Sequence, residues 1–255
     1  EMPPALQYPY ISTYYVKPTV APDEAVARIR HFFRVSPIGD LNVLPLLSLM
    51  SAKRLDRDLD RAFQKLCGHA PDIEDTWKEF YCIASSYSYS REVIMRRGPL
   101  AKLVRASISI PAFFPPVFFR GEALLDGAIF NNFPTDEMRR MGVGKLVGVD
   151  LREDFFGPVT TDAPPHPWQI VASFFGLRRG KMPKVPYIGG MMYRAPMLYS
   201  ESRQQKSAEL ADILVRPELS SVGHFEWGAI DRAIDIGYRC ARQEVERWRG
   251  LDCWR

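Results

Sequence analysis

The chain has 255 residues, of which 46% are hydrophobic and 25% charged, and its formal net charge at pH 7 is +4. These fractions are those of a globular protein with a substantial core, so they exclude a disordered or fibrous chain. The small positive charge suits an anionic membrane surface as well as nucleic acid, and it identifies neither. No apolar run approaches the ~20 residues of a membrane-spanning helix, because three prolines interrupt the longest candidate, 108–119.

Residues 1–22 contain five prolines, and their apolar residues recur with neither a helical nor a strand period, which predicts an extended arm. The remainder, 23–250, is predicted to form one domain. A short helix is expected to begin at Asp23, where two acidic residues precede apolar residues spaced at the helical period. A longer amphipathic helix is expected from about Ser51, ending before Gly68, a residue suited to the position just past a helix end.

The rest of the chain alternates strand patterns with helix patterns. The predicted strands are 80–88, its partner 92–95, 123–125, 145–151 and 213–215. The predicted helices begin near Gly98, Pro134 and Trp227. Such alternation predicts an α/β fold of three layers, with helices on both sides of a mostly parallel central sheet. The strand over 145–151 is expected to be buried.

Neither cysteine nor histidine shows the spacing of a metal site. The four cysteines form no C-x-x-C pair and have no nearby histidine: Cys67, Cys82, Cys240 and Cys253. The four histidines are equally scattered: His31, His69, His166 and His224. We interpret the cysteines as free thiols of a reducing compartment, and no secretory signal peptide begins the sequence. These features predict a cytoplasmic protein.

Asp126-Gly127-Ala128 follows the apolar run 123–125 and precedes Asn131, Asn132 and Pro134. One interpretation is a tight turn, since Asp-Gly is the strongest short hairpin signal, although only three residues are available for a return strand. The other is functional, because functional groups in open α/β sheets collect at the carboxyl ends of strands, where Asp126 falls. The pattern alone does not decide between them.

Four motifs follow one another in a defined order: Arg105-Ala106-Ser107, the proline-containing loop 110–116, Asp126-Gly127-Ala128 and Asn131-Asn132-Phe133-Pro134. In this order they resemble the C-terminal half of a patatin-like phospholipase, in the bacterial branch related to neuropathy target esterase. Shorter matches extend the resemblance over most of residues 25 to 245, at 55–57, 73–77, 141–142, 147–150, 211–213, 216–217 and 236–238.

The resemblance implies an enzyme that cleaves carboxylic esters of phospholipids or lysophospholipids without a cofactor or a metal, with peripheral contact to a membrane. The implied catalytic group is a serine–aspartate dyad, in which Asp126 takes and returns the proton of the nucleophilic serine. Gly127 and Ala128 would let the backbone approach the site. Asn131 and Asn132 are expected to cap the helix that follows.

The chain departs from the family pattern in lacking a nucleophile. It contains neither the glycine-rich oxyanion loop nor the G-x-S-x-G motif that the family places before the matched region. Because an oxyanion donor contributes about 2.7–4 kcal/mol and the nucleophile more, this chain alone is expected to be inactive. Ser107 and Ser109 are the nearest serines, and we interpret them as helix-end and loop residues rather than replacement nucleophiles.

Three hypotheses remain open. The chain is the C-terminal part of a longer enzyme, or it is a catalytically inactive lipid-binding or regulatory module. In the first case it would expose a sheet edge, and we expect association through that edge. The third hypothesis makes Asp126 and Asp150 metal ligands at neighbouring strand ends, although nothing in their spacing requires it.

The stretch 174–181, followed by Tyr187 and by 191–193, mixes aromatic and basic residues. It is typical either of a loop at a lipid interface or of a buried helix end beside a solvated loop, and we favour the second interpretation. The same mixture suits single-stranded nucleic acid, but no recognition motif accompanies it, so no nucleic-acid partner is predicted.

Overall fold

The computed structural model describes residues 22–33, 40–44, 46–76, 78–151, 159, 161–168, 188–219, 222 and 227–249. Its helices are α1 (Pro22–Phe33), α2 (Lys53–Cys67), α3 (Leu100–Ser107), α4 (Thr135–Arg140), α5 (Ile188–Arg194), α6 (Leu198–Ala208) and α7 (Ile230–Arg249). Its strands are β1 (Cys82–Ser86), β2 (Arg91–Met95), β3 (Val117–Phe119), β4 (Glu122–Asp126), β5 (Val147–Val149) and β6 (Ile213–Val215). The predicted arm lies outside the described residues except for Pro22, which begins α1. The single domain over 23–250 stays a prediction.

Four strands form an antiparallel sheet in the order β2-β1-β4-β3. The chain reverses direction over residues 87–90 between β1 and β2, and over Arg120 and Gly121 between β3 and β4. Arg120 and Gly121 have φ of 48° and 80°, and two successive positive φ values are typical of a two-residue hairpin turn. Because such short connections cannot carry a crossover, these neighbours must pair antiparallel.

The α/β class is confirmed, but the prediction of a mostly parallel sheet is wrong for this four-stranded sheet. Within the described residues the parallel pair is β5 with β6, in register from Val147 opposite Ile213 to Val149 opposite Val215. Helices α5 and α6 lie between these two strands in sequence and provide the long connection that parallel pairing requires. The pairing of 92–95 with 80–88 is confirmed as β2 with β1, but β3 and its hairpin to β4 were not predicted, and the parallel direction was inferred only from the alternation of strands and helices.

Helices pack on both faces of the four-stranded sheet around β1. Cys82 and Ala84 belong to a hydrophobic cluster with residues of α2 and α3, and Ala84 has no exposed surface. Ile83 points to the opposite face, because successive strand residues alternate, and it belongs to a cluster with Met138 of α4. The central strand is therefore covered on both sides. The complete three-layer arrangement stays a prediction.

The predicted elements are found with small shifts at their ends. The helix expected to end before Gly68 is α2, and Gly68 follows it in the left-handed conformation (φ 79°), where its N–H donates to the carbonyl of Gln64. The strand expected over 145–151 is shorter, and its predicted burial is wrong for Val147 and Val149, which are 39% and 47% exposed. Gly148 between them is buried, because alternate strand residues point to opposite sides.

The outer strands of the four-stranded sheet are β2 and β3. Association of chains through a sheet edge stays a prediction. Among the helices of the described ranges, none combines the length and the apolar character that crossing a membrane would require.

Candidate active site

Asp126 is the last residue of β4, and its backbone is held on both sides. Its N–H donates to the carbonyl of Ser109 at 2.9 Å, and its own carbonyl accepts the hydroxyl of Ser85 at 2.8 Å. In the sheet it lies opposite Ala84 of β1, so its side chain points to the face covered by α2 and α3. The carboxylate therefore leaves a rigid part of the sheet rather than a loop.

The backbone turns sharply after Asp126 because residue 127 has no side chain. A Cβ at Gly127 would lie 2.3 Å from the carbonyl oxygen of Ile83 in the neighbouring strand. Gly127–Ile129 forms a 3₁₀ turn, and Asp126 caps it, since its Oδ1 accepts the N–H of Ala128 at 2.8 Å. The interpretation of Asp-Gly as a hairpin turn is therefore wrong.

A cleft of about 240 Å³ opens beside this turn. All five predicted site residues line it: Asp126, Gly127, Ala128, Asn131 and Asn132. Much of the remaining wall is apolar and comes from the start of β1 and the end of α3, with Phe80, Ile83, Val104 and Ile108 among the lining residues. The structure thus brings the predicted residues together around one largely apolar cavity, which is the usual character of a small-molecule site.

Burial shapes the acidity of Asp126. The carboxyl group is partly buried, which raises its pKa to about 6, and the hydrogen bond from the N–H of Ala128 offsets only part of that rise. That contact is the one side-chain hydrogen bond of Asp126 to the described residues. At neutral pH the group is mostly ionised, yet it is a stronger base than an ordinary aspartate. Such a carboxylate can take a proton from a reacting hydroxyl.

Asn131 and Asn132 do not cap α4, contrary to the prediction. The residue before α4 is Pro134, and no side chain of the described residues caps the helix. The amide Nδ2 of Asn131 donates instead to Glu92 and to Asp136, at 3.0 Å each. The sequence spacing suggested a helix cap, but the Asn131 side chain instead joins Glu92 of β2 to Asp136 of α4.

The turn after Asp126 lies inside a region of the chain that matches a known protein family. Residues 23–139 match the family model described as patatin-like phospholipase. The chain contains a patatin-like phospholipase domain. The resemblance indicated by the four motifs is thereby confirmed, and Asp126 lies inside the matched region.

Curated relatives of the patatin-like domain come from bacteria and fungi. Uncharacterized NTE family proteins of Mycobacterium bovis and Mycobacterium tuberculosis are both 30% identical over 233 residues, which is 88% of this chain and 37% of each relative. The protein of Aspergillus fumigatus named lysophospholipase nte1 is 26% identical over 196 residues, 74% of this chain and 12% of that protein. The chain thus spans little more than a third of the length of the mycobacterial relatives.

The two serines at the end of α3 have different environments in the patatin-like domain. Ser107 lines the cleft with Asp126, and its hydroxyl makes no hydrogen bond to the described residues. Ser109 is fully buried, donates to the carbonyl of Arg105 at 2.8 Å and accepts from Nη1 of Arg105 at 2.6 Å. Ser109 is therefore a structural residue, as predicted, and its carbonyl holds the N–H of Asp126.

Arg105 is a buried cation that supports this arrangement. Its side chain is 4% exposed, and its Nε lies 3.0 Å from Oδ1 of Asp56 on α2. Burial lowers the pKa of Arg105 and raises that of Asp56, so the two charges are held together at a cost in desolvation. The ring of Phe114 adds a cation–π contact, with the guanidinium 4.9 Å from its centroid.

Removing the partner of Arg105 is expected to destabilise the patatin-like domain. In Asp56→Ala a buried guanidinium loses its counter-charge, which we expect to lower the free energy of unfolding by about 2 kcal/mol. The figure is below that for fully buried pairs because Asp56 is 51% exposed and water can reach its place. Urea unfolding measures the effect.

Asp58→Ala on the same helix is the control. It removes only exposed ion pairs and should change stability by less than about 0.5 kcal/mol. Equal losses of stability in both variants would contradict the expectation.

Asp150 does not join Asp126 in a metal site. Its Oδ1 accepts from Nε2 of Gln204 at 2.6 Å, and its Oδ2 accepts from Nε of Arg216 at 2.9 Å. No group of three or more His, Cys, Asp or Glu residues within the described ranges could hold a metal ion. The contacts of Asp150 are those of a buried structural carboxylate.

The aromatic and basic stretch 174–181 lies outside the described residues, as does Tyr187. Beyond it, Met191 and Met192 on α5 are 47% and 58% exposed. The choice between a lipid-interface loop and a buried helix end therefore stays open for that stretch.

Proposed function

We propose that this protein is a lipid acyl hydrolase of the phospholipase or lysophospholipase type, in which Asp126 is the general base of a serine–aspartate dyad. One observation carries the proposal: the Asp126 carboxylate faces a largely apolar cleft, has one oxygen bound by the N–H of Ala128, and has a pKa raised to about 6. The position of Asp126 in the patatin-like match and the name of the fungal relatives support the same chemistry.

In the proposed reaction a serine hydroxyl attacks the ester carbonyl while Asp126 accepts the hydroxyl proton. The tetrahedral intermediate then collapses to an acyl-serine, and Asp126 returns the proton to the departing alcohol oxygen. A water molecule attacks the acyl-serine in the second half, with Asp126 again taking a proton and then giving it to the serine oxygen. A base with a pKa near 6 suits both directions of transfer at neutral pH better than one near 4.

We propose that the serine and the oxyanion donors are supplied from outside this sequence, since residues 1–255 contain no G-x-S-x-G motif. The cleft volume of about 240 Å³ is consistent with a site that this chain completes only in part. Ligand pockets usually measure roughly 300–1,000 Å³, so these walls would surround the ester group and a short part of an acyl chain. Peripheral contact with a membrane, where such lipids lie, belongs to the same proposal, together with a cytoplasmic location.

The test is Asp126→Asn in the intact protein that contains this chain. Asparagine keeps the size and the contact with Ala128 but cannot accept the proton, so hydrolysis of a lysophospholipid should fall at least about 100-fold. Asp162→Asn, on an exposed loop, serves as the matched control and should retain full activity. Undiminished hydrolysis in Asp126→Asn would overturn the role of Asp126. The chain alone should not hydrolyse a p-nitrophenyl ester.

The same missing motif favours a second candidate, a catalytically inactive module that binds lipid or regulates a partner. The coding sequence upstream of Glu1 separates the two. A G-x-S-x-G motif within one strand–helix unit there supports the enzyme, and its absence supports the inactive module.

A further inference from the structure

The segment that follows Asp126 is held by α6, a helix more than sixty residues away in sequence. The hydroxyl oxygen of Ser200 accepts the N–H of Asn132 at 2.8 Å, and the hydroxyl of Thr135 donates to the carbonyl of Ser207. The rings of Tyr199 and Phe130 meet edge to face with centroids 6.1 Å apart, on the same side of the helix. One face of α6 therefore packs against the segment 130–135.

Arg203 is the charged centre of this contact. Its Nη1 donates to the carbonyl of Phe130 at 3.3 Å, and its Nη2 lies 3.3 Å from Oδ2 of Asp136. Nη1 is also 3.7 Å from Oε2 of Glu92 on β2. The guanidinium lies over the ring of Tyr199, 5.7 Å from its centroid, which limits its freedom to move away.

The two carboxylates at Arg203 would repel each other without it. Asn131 draws them together, because its single Nδ2 donates to both Glu92 and Asp136 at 3.0 Å. Asp136 has a second cation, Arg140, at 3.0 Å, whereas Arg203 is the one cation within ion-pair distance of Glu92 in the described part of the chain. Loss of Arg203 would therefore leave an uncompensated charge beside Asn131, where two negative groups a few ångströms apart repel.

A short series of hydrogen bonds connects Arg203 to the carboxylate of Asp126. The N–H groups of Phe130 and Asn131 donate to the carbonyl of Gly127 at 3.1 and 2.9 Å, which closes the 3₁₀ turn. That turn fixes the N–H of Ala128, which donates to Oδ1 of Asp126. We infer that Arg203 is a positioning residue for Asp126, because it holds the turn in the place from which Ala128 orients the carboxylate. The inference rests on the proposed function of Asp126 as the base.

Nuclear magnetic resonance of this chain, selectively labelled with 15N-alanine, tests the inference without any catalysis. In the wild type the amide of Ala128 should shift as Asp126 ionises, and Asp126→Asn should abolish that shift and so identify it. Other ionisable groups in the cleft do not interfere, since burial raises the pKa of Tyr81 above its ordinary range and that of Cys82 to about 12.

In Arg203→Gln the pH-dependent shift of Ala128 should fall at least twofold, and in Arg203→Lys, which keeps the charge, it should be partly restored. Arg239→Gln on the exposed side of α7 is the matched control and should behave as the wild type. An unchanged response of Ala128 in Arg203→Gln, or the absence of any response in the wild type, overturns the inference. If Arg203→Gln does not fold, Arg203→Lys alone decides, with an intermediate response expected and a wild-type response contradicting it.

Kinetics of the intact protein give the second measurement. Misplacing a catalytic group from a distance can cost up to about 100-fold in rate, so Arg203→Gln should lower kcat by roughly 10- to 100-fold with KM changed less than about twofold. A change in KM alone would argue against positioning. If Asp126→Asn leaves hydrolysis intact while the response of Ala128 depends on Arg203, the dyad proposal fails and the structural connection stands.

Discussion

Replacing Gly127 with alanine is expected to destabilise the domain by about 3 kcal/mol or more, the upper range for forcing an atom into a packed interior. The added Cβ would lie 2.3 Å from the carbonyl oxygen of Ile83 and 2.8 Å from its carbonyl carbon. Both are backbone atoms of β1, which pairs with β2 on one side and β4 on the other. The strand cannot shift without disturbing both ladders, so the 3₁₀ turn and Asp126 would have to move instead.

Thermal and urea unfolding of Gly127→Ala measure this loss, and Gly237→Ala provides the control. Gly237 lies within α7, and apart from its own helical neighbours no atom of the described residues lies within 4 Å of the Cβ that alanine would add. Alanine is preferred over glycine inside a helix by about 1 kcal/mol, so this variant should be as stable as the wild type or more stable. Wild-type stability in Gly127→Ala would show that the turn after Asp126 is not as close to β1 as the structure has it.

Replacing Asp126 with asparagine is expected to stabilise the folded chain at neutral pH while it removes the proposed base. Burial raises the pKa of Asp126 from 3.8 to about 6, so folding disfavours its ionised form. Because the pKa is higher in the folded state, protonation of Asp126 stabilises the folded state. This contribution is fully present below pH 3.8 and is lost as pH rises through 6. Asparagine is never ionised and avoids that loss. The gain should reach about 3 kcal/mol at most above pH 7, since one pKa unit corresponds to about 1.4 kcal/mol.

Urea unfolding of the wild type and of Asp126→Asn between pH 4 and pH 8 measures this difference. The two should be about equally stable at pH 4 and should diverge as the pH rises, with the variant more stable. Asp162→Asn, on an exposed loop, should follow the wild type throughout. Parallel curves for the wild type and Asp126→Asn would mean that the carboxylate is well solvated, and the case for a raised basicity would fail.

Much of the frame around the site could be predicted because it is encoded locally. The strand 123–125 was visible as an apolar run ending in a carboxylate, and α2 was visible from its apolar period and from Gly68 at its end. The hairpin between β3 and β4 was missed because Arg120-Gly121 is not among the usual turn pairs, although Arg120 adopts a positive φ there. That omission accounts for the missed antiparallel pair of β3 and β4.

The candidate site was predicted in part. Motif order placed Asp126, and the structure gathers it with Gly127, Ala128, Asn131 and Asn132 around one cleft. The roles of the asparagines could not be predicted, since they depend on partners such as Glu92 that pattern reasoning does not bring together. Arg203 was missed for the same reason, because nothing in α6 marks one arginine among its polar residues.

The contacts of α6 determine when, during synthesis, the surroundings of Asp126 can be completed. The family match ends at residue 139, yet the turn after Asp126 is held by residues 199–207. During synthesis the chain from β1 to α4 leaves the ribosome well before that helix does. Until α6 emerges, Glu92 and Asp136 lack the cation that Arg203 brings to both of them. The carboxylate of Asp126 would thus acquire its final surroundings late, and a polypeptide cut at the end of the matched region would carry the motif without the support that fixes it.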